Sequence, residues 1–150
     1  MQKKQKRIHR LIYLNNYEEV IQMAKIMIVD DNPDISATLK TIMEIDNHVT
    51  ETAFNGEDFL NKVEKAKPDI VLLDVMMPGL KTKEILAKLK EKDLGNLKII
   101  LVTVVRFSEE ERKVLMSEYN IRDYVTKPFD VPDIMNRVRK QLSQSGSNER

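Results

Sequence analysis

Three short apolar runs recur along the chain and predict buried β-strands. They are rich in branched side chains, are bounded by polar residues, and occupy residues 26–29, 70–73 and 99–102. Such runs are typical of strands covered on both faces, as in a parallel sheet packed between helices. Two weaker strands, at residues 48–53 and 123–125, fit the same spacing.

Helical patterns occupy the intervals between these strands. The first helix follows Asn32, a favoured N-cap residue, and Pro33, which suits the first helical position. Four further helices are predicted by apolar residues three or four positions apart, and they lie after Gly56, around residues 85–89, from near Ser108, and along residues 131–142. This (βα)5 alternation predicts an α/β fold, a doubly wound parallel five-stranded sheet of flavodoxin-like type with helices on both faces.

The sequence also predicts where the fourth helix lies and where it ends. The apolar trio Val114, Leu115 and Met116 marks the helix. Asn120, just past its end, is expected to stop the helix in a left-handed conformation, because asparagine tolerates that conformation better than most residues.

The two ends of the chain lie outside this alternation. Residues 1–22 are predicted to be an N-terminal extension, residues 23–142 the folded domain, and residues 143–150 a disordered polar tail. Two interpretations of the extension stay open. It is a basic arm or helix that contacts a partner, or it is no part of the native protein and Met23 is the start, because Glu18-Glu19-Val20 can be encoded by a sequence that resembles a ribosome-binding site.

Composition limits the possible classes of function. The chain has 150 residues, 41% of them apolar, which suits one domain with a real core. No run approaches the ~18–20 apolar residues of a membrane span, and no apolar segment of a signal peptide follows the basic N-terminus. The absence of cysteine excludes thiolate metal sites and cysteine nucleophiles. We therefore expect a cytoplasmic protein.

The positive charge is concentrated at the N-terminus. The chain has a net charge of +1, but residues 1–22 hold five Lys or Arg and two Glu, which leaves 20 basic and 22 acidic residues in the remainder. A nucleic-acid-binding domain would carry its basic surface on the folded part. We therefore expect no direct binding of nucleic acid.

Polar side chains follow four of the predicted strands. Asp30 and Asp31 follow the first strand, Asp74 the third, Thr103 the fourth and Lys127 the fifth. Taken singly, each has a simpler interpretation, such as a helix cap for the aspartate pair or a turn for Asp74. The carboxyl ends of parallel strands, however, meet at one edge of the sheet, where ligands of such folds bind. The joint pattern therefore indicates one site.

The chemistry of this set is that of phosphoryl transfer. Three neighbouring carboxylates repel one another, and a hard divalent cation such as Mg²⁺, which keeps part of its water shell, relieves that repulsion. An aspartate can act as nucleophile towards phosphorus and form an acyl phosphate. The ion, Lys127 and the Thr103 hydroxyl would then neutralise the three oxygens of the transferred group.

The segments that carry these residues resemble the receiver domains of two-component response regulators. The resemblance covers about residues 24–142, and the matching segments are Ile28-Val29-Asp30-Asp31-Asn32, Leu72-Leu73-Asp74-Val75-Met76-Met77-Pro78-Gly79, Thr103, and Tyr124-Val125-Thr126-Lys127-Pro128-Phe129. Because no output domain follows Leu142, the chain looks like a stand-alone, chemotaxis-type receiver.

The resemblance implies a role for each site residue. Asp74 would be the phosphoacceptor. Magnesium would be held by a set of oxygen donors, namely Asp31, Asp74 and the Met76 backbone carbonyl, with Asp30 acting through water.

Three further residues have roles by the same resemblance. Thr103 and Lys127 would contact the phosphoryl group, and a cis Lys127-Pro128 bond would aim the lysine into the pocket. Tyr124 matches the switch aromatic, which turns inward when Thr103 moves onto the phosphate.

The expected partners are a sensor histidine kinase or histidine phosphotransfer protein and a downstream protein target, with the chain a monomer or weak dimer. Such a protein is a signalling switch, which transfers a phosphoryl group only to its own aspartate and loses it slowly.

One alternative is a magnesium-dependent hydrolase with Asp74 as nucleophile, but dehalogenase-type phosphatases carry a second aspartate where this chain has Met76. The other, an unphosphorylated scaffold of receiver fold, fits the intact acidic set poorly.

The chain departs from the receiver pattern at three places. Val104 replaces the small residue that usually follows the threonine, and it could narrow the mouth of the site. Lys81-Thr82 replaces the usual Asp-Gly, and Asn120-Ile121 replaces the usual Gly-Ala. None of these changes removes a catalytic group.

Overall fold

The structure, a computed structural model, describes residues 10–14 and 19–144, with side chains from residue 23 onwards. The strands are β1 (Arg10–Leu14), β2 (Glu19–Met23), β3 (Lys25–Val29), β4 (Val49–Ala53), β5 (Ile70–Leu73), β6 (Lys98–Thr103) and β7 (Ile121–Thr126). The helices are α1 (Pro33–Ile45), α2 (Gly56–Ala66), α3 (Thr82–Glu91), α4 (Glu109–Glu118) and α5 (Val131–Ser143). The predicted alternation of five strands and five helices is confirmed.

Strands β3 to β7 form one parallel sheet in the order β4-β3-β5-β6-β7. Strand β4 therefore lies on one side of β3, and β5, β6 and β7 lie on its other side. The point where the strand order reverses lies between β3 and β5. In open α/β sheets this is the place where ligands bind.

Two apolar cores cover the two faces of the sheet, which explains the continuous apolar runs at residues 26–29, 70–73 and 99–102 of its three central strands. Within β3, Met27 and Val29 belong to the core beneath α2, α3 and α4, whereas Ile26 and Ile28 belong to the core beneath α1 and α5. All four side chains are 0% exposed. A strand covered on both faces has no position left for a polar residue until it ends.

The predicted helix start at Asn32 is confirmed. The Asn32 side chain accepts hydrogen bonds from the backbone N–H groups of Asp34 and Ile35, and Pro33 is the first residue of α1. The cap fixes the residue at which α1 begins, and it therefore keeps Asp30 and Asp31 in the short segment between β3 and α1, at the edge of the sheet.

Helix α4 is present as predicted, but two residues of its apolar trio are exposed and the expected left-handed stop at Asn120 is absent. Of its residues only Leu115 is buried, while the side chains of Val114 and Met116 are 44% and 52% exposed. Consecutive helical residues point in different directions, so three in a row cannot all face the sheet. Asn120 is not left-handed, because α4 ends at Tyr119 in an extended conformation.

Strands β1 and β2 pair in antiparallel fashion, with Arg10 opposite Met23 and Leu14 opposite Glu19. Residues 10–14 and 19–22 of the N-terminal extension are therefore strand rather than helix, the alternative of a basic arm that contacts a partner stays a prediction, and residues 1–9 and 15–18 lie outside the described residues. Whether residues 1–22 belong to the native protein stays a prediction. At the other end, α5 includes Ser143, and residues 145–150 of the predicted tail also lie outside the described part.

A buried polar cluster ties together the amino-terminal edge of the sheet. The Nδ1 atom of His48 accepts a hydrogen bond of 3.2 Å from the Ala24 backbone N–H, and its Nε2 lies 3.5 Å from a carboxylate oxygen of Asp46. Asp46 in turn pairs with the Arg139 guanidinium of α5. Burial lowers the pKa of His48, although Asp46 opposes the shift. The cluster links the start of β3, the α1–β4 turn and α5.

Candidate functional site

The residues predicted from the strand ends do lie at the carboxyl edge of the sheet. Asp30 and Asp31 follow β3, Asp74 follows β5, Thr103 ends β6 and Lys127 follows β7. Backbone hydrogen bonds extend the sheet pairing into this edge: the Asp74 N–H donates to the carbonyl of the last β3 residue at 3.0 Å, and the Lys127 N–H donates to the Thr103 carbonyl at 2.9 Å.

The three aspartates form one acidic cluster. One carboxylate oxygen from each of Asp30, Asp31 and Asp74 lies within 4.8 Å of the others. Asp30 and Asp74 are 1% and 5% exposed, whereas Asp31 is exposed to solvent. Backbone N–H groups hold the two buried carboxylates in place: Asn32 donates to Asp30 at 2.9 Å and Met76 donates to Asp74 at 3.0 Å.

The ammonium group of Lys127 reaches into this cluster. Its Nζ lies 2.6 Å from Oδ2 of Asp30 and 3.2 Å from Oδ2 of Asp74, and the Lys127-Pro128 peptide bond is cis, in agreement with the resemblance. Three carboxylates and one ammonium group leave two negative charges. A divalent cation with oxygen ligands fits this charge and this set of donors.

Thr103 lies beside the cluster without joining it. The residue is 2% exposed, and its Oγ1 accepts a hydrogen bond of 3.2 Å from the Val105 backbone N–H. Among the described side chains, no hydrogen bond links its hydroxyl to the three carboxylates.

An open cavity of about 390 Å³ leads from solvent to the cluster, and it is lined by Asp30, Asp31, Asn32, Ile35, Asp74, Val104, Lys127 and Pro128. Val104 is 58% exposed, so its branched side chain lies at the mouth, where the sequence analysis expected it. Ile35 and Pro128 also form part of the wall. Sequence reasoning named Pro128 only for its cis peptide bond, and it did not single out Ile35, whose only signal was its position four residues after Asp31.

The comparisons with known proteins agree with this geometry. Residues 26–139 match the family model described as Response regulator receiver domain. The chain belongs to this family. Receivers are signalling switches of two-component phosphorelays rather than true enzymes, and in this receiver Asp30, Asp31 and Asp74 form the acidic pocket.

Individual relatives support the same assignment. The chain is 37% identical over 121 residues to the alkaline phosphatase synthesis transcriptional regulatory protein PhoP of Bacillus subtilis, with 81% of this chain and 49% of PhoP aligned. It is 34% identical over 122 residues to the protein PilH of Pseudomonas aeruginosa, with 81% and 99% aligned. The chain thus spans about half of PhoP and nearly all of PilH.

A solved structure extends the likeness to the fold. The receiver domain of the Francisella response regulator 1452 superposes with a TM-score of 0.71 at 27% identity, over 81% of this chain and 98% of that one. In this receiver, none of the described helices is both long enough and apolar enough to span a bilayer.

The side chain of Tyr124 is held against α4 in this receiver. Its hydroxyl donates to the Arg112 backbone carbonyl at 3.3 Å, the Arg112 guanidinium lies 5.0 Å from the ring centre, and the Phe107 ring packs 5.7 Å away. Burial raises the pKa of Tyr124, and the charge of Arg112 opposes that shift. The residue that matches the switch aromatic therefore bridges β7 and α4.

Proposed function

We propose that this receiver accepts a phosphoryl group on Asp74 from a histidine kinase or a histidine phosphotransfer protein, with the help of Mg²⁺. The observation that carries the proposal is the position of Asp74. It lies at the point where the strand order reverses, inside a cluster with two excess negative charges and beside the Lys127 ammonium.

Asp74, Lys127 and Thr103 each have a different role in the proposed transfer. An oxygen of Asp74 attacks phosphorus while the bond between phosphorus and the donor nitrogen breaks, and the imidazole of the donor keeps the electron pair. Lys127 already contacts Asp74, so its ammonium is within reach of an oxygen of the arriving group. Thr103 would supply a hydroxyl to another phosphoryl oxygen, once it rotates from its contact with the Val105 N–H.

The acidic cluster would hold the metal ion. Asp31 and Asp74 are the direct ligands in this proposal, together with the Met76 backbone carbonyl, and Asp30 acts through water. The Met76 N–H already donates to Asp74, which keeps the Met76 backbone close to this carboxylate. When bound, the ion neutralises negative charge on the transferred group.

The output of the switch would be a protein contact. Movement of Thr103 onto the phosphoryl group would leave room for Tyr124 to turn inward and give up its hydrogen bond to α4. The surface formed by α4, β7 and α5 would then change and bind a downstream protein. We also propose that the protein acts in the cytoplasm as a monomer or weak dimer, and that it binds no nucleic acid directly.

Two alternative functions have less support. For a hydrolase with Asp74 as nucleophile, a second acid would be needed two positions on, and Met76 there is 60% exposed and cannot act as an acid. For an unphosphorylated scaffold, nothing would require three carboxylates to converge with a lysine, because their mutual repulsion destabilises the fold.

The direct test is incubation of the full chain with acetyl phosphate, with and without Mg²⁺. We expect the intact mass to rise by one phosphoryl group with magnesium present, and no increase when the ion is chelated, because the acidic cluster then repels the phosphate. Equal labelling with and without the ion, or none with acetyl phosphate or any kinase, would contradict the proposal.

The phosphorylated state is expected to be long-lived. Hydrolysis needs a water in line with the bond between Asp74 and phosphorus, and in receivers the residues two after the acceptor and two after the threonine face that approach. Here they are Met76 and Val105, which cannot orient a water by hydrogen bonding. Such positioning is worth about 10²–10⁴-fold where it exists. Met76→Asn and Val105→Glu should therefore speed the decay of the phosphoprotein in magnesium.

The matched controls for this decay are Met116→Asn and Val114→Glu, which make the same changes on α4. Both positions are about half exposed, as Met76 is, and both lie away from the acidic cluster. Unchanged or slower decay in the Met76 and Val105 variants would show that these side chains do not control the access of water.

A further inference from the structure

A second cavity opens at the amino-terminal edge of the sheet, at the opposite end of the strands from Asp74. It has a volume of about 590 Å³ and lies between the α3–β6 loop, the end of α4 and the first residues of β6 and β7. This volume is in the range of sites that bind small molecules. Neither the family assignment nor the proposed phosphoryl transfer gives this cavity a role.

A β-bulge brings Arg122 into the wall of this cavity. The register between β6 and β7 shifts from Ile99 opposite Ile121 to Ile100 opposite Asp123, so Arg122 is the extra residue. Bulges redirect the side chain of the inserted residue and often lie next to functional sites. The Nε atom of Arg122 is buried, and among the described residues it has no acceptor. A buried donor without an acceptor is costly, so an acceptor from outside the chain would be favourable there.

A second cation lies beside Arg122. Lys98, the first residue of β6, lines the same cavity, and its Nζ donates to the Gln141 backbone carbonyl of α5 at 2.7 Å. Burial and the nearby Arg122 charge lower the pKa of Lys98, and Asp69 opposes the shift. The cavity thus has two cationic side chains and one carboxylate, Glu118. An anion in the cavity would relieve the repulsion between the two cations.

Two contacts between side chains and neighbouring segments hold the rim of the cavity in place. The Asn120 side-chain amide donates to the Asn96 backbone carbonyl at 2.6 Å and thereby joins the end of α4 to the α3–β6 loop. The Lys90 ammonium lies 4.6 Å from the ring centre of Tyr119 and holds the neighbouring wall. A preformed rim lowers the entropic cost of binding.

We propose that this cavity binds a small molecule through a phosphate or carboxylate group, with the Arg122 guanidinium as the principal donor and Lys98 as the second cation. The planar guanidinium matches two oxygens of either group, which gives both strength and orientation. The site is separate from the acidic cluster, so the inference does not depend on the proposed function.

The test is a titration of the isotope-labelled full chain, followed by the backbone amide signals. Inorganic phosphate and citrate are added in separate arms, without magnesium and at constant ionic strength. We expect saturable shifts at Asn96, Tyr119 and Arg122 with at least one of the two anions. Saturation with phosphate alone or with citrate alone supports the proposal and identifies the chemical group.

Arg122→Gln should weaken this binding by about tenfold or more, because a charge-assisted pair of hydrogen bonds is lost. Arg106→Gln, which removes an exposed arginine outside the cavity, should leave it unchanged. If Arg122→Gln does not fold, Glu118→Gln replaces it as the test, and it should tighten binding by removing the only carboxylate of the wall.

Three results would overturn the proposal: shifts that never saturate, equal affinity in Arg122→Gln and the parent chain, or no tightening in Glu118→Gln. Shifts confined to Asp30 and Asp74 would also overturn it, because phosphate would then bind only at the acidic cluster. Asp74→Asn should leave the titration unchanged, so that failure of the proposed phosphoryl transfer and failure of this inference can be told apart.

Discussion

Replacement of Asp74 by asparagine is expected to abolish phosphoryl incorporation from acetyl phosphate or a kinase. The amide oxygen of asparagine is a poor nucleophile, and the acyl phosphate could no longer form. The variant should still fold, because its amide oxygen can accept the hydrogen bond that the Met76 N–H donates to Asp74. The measurement is the hydroxylamine-labile phosphate bound to each protein after the same incubation.

A matched control for this variant is Asp34→Asn. Asp34 is exposed on the first turn of α1, so the same chemical change is made near the site but outside the acidic cluster. This control should be labelled like the parent chain. If the Asp74 variant carried as much labile phosphate as the control, the acceptor would have been assigned to the wrong residue.

The second large effect is expected in metal binding. Asp31→Ala should weaken magnesium binding by roughly tenfold or more, because it removes one of three converging carboxylates, and even outer partners of a metal site contribute about 10–100-fold to affinity. Asp34→Ala should change the affinity little, since Asp34 lies outside the cluster. Calorimetric titration of magnesium into each variant measures the difference.

Asp31 is exposed, so its loss leaves no buried group without a partner and should not unfold the chain. The two alanine variants can therefore be compared as folded proteins. Similar losses of affinity in both would mean that Asp31 is not a direct ligand, and that the affinity reflects only the total negative charge around the start of α1.

The sequence predicted the sheet and most of the acidic site for one physical reason. Strands buried on both faces, such as 26–29 and 70–73, are apolar at every position, so the first polar residue marks the strand end. Parallel strands bring those ends to one edge, and the sequence alone therefore predicted that Asp30, Asp74 and Lys127 lie close together.

Other features depend on tertiary contacts that no local pattern encodes. The exposure of Val114 and Met116 depends on the rotation of α4 against the sheet. The bulge at Arg122 depends on how β7 pairs with β6, because nothing in its own segment marks an extra residue. Tyr124 could be matched to the switch aromatic of receivers from its place in the sequence, but its contact with Arg112 depends on where α4 packs.

The weak attachment of α4 has an energetic consequence. Leu115 is its only buried residue, whereas each of the other four helices buries at least three. A buried leucine is worth about 1.5–3 kcal/mol, so the burial of its own side chains holds α4 to the sheet with an energy of only that order. In the proposed switch, an inward turn of Tyr124 would remove its hydrogen bond to Arg112, and one or two new contacts would then be enough to favour a shifted position of α4. The other four helices, which bury more residues, would cost more to displace.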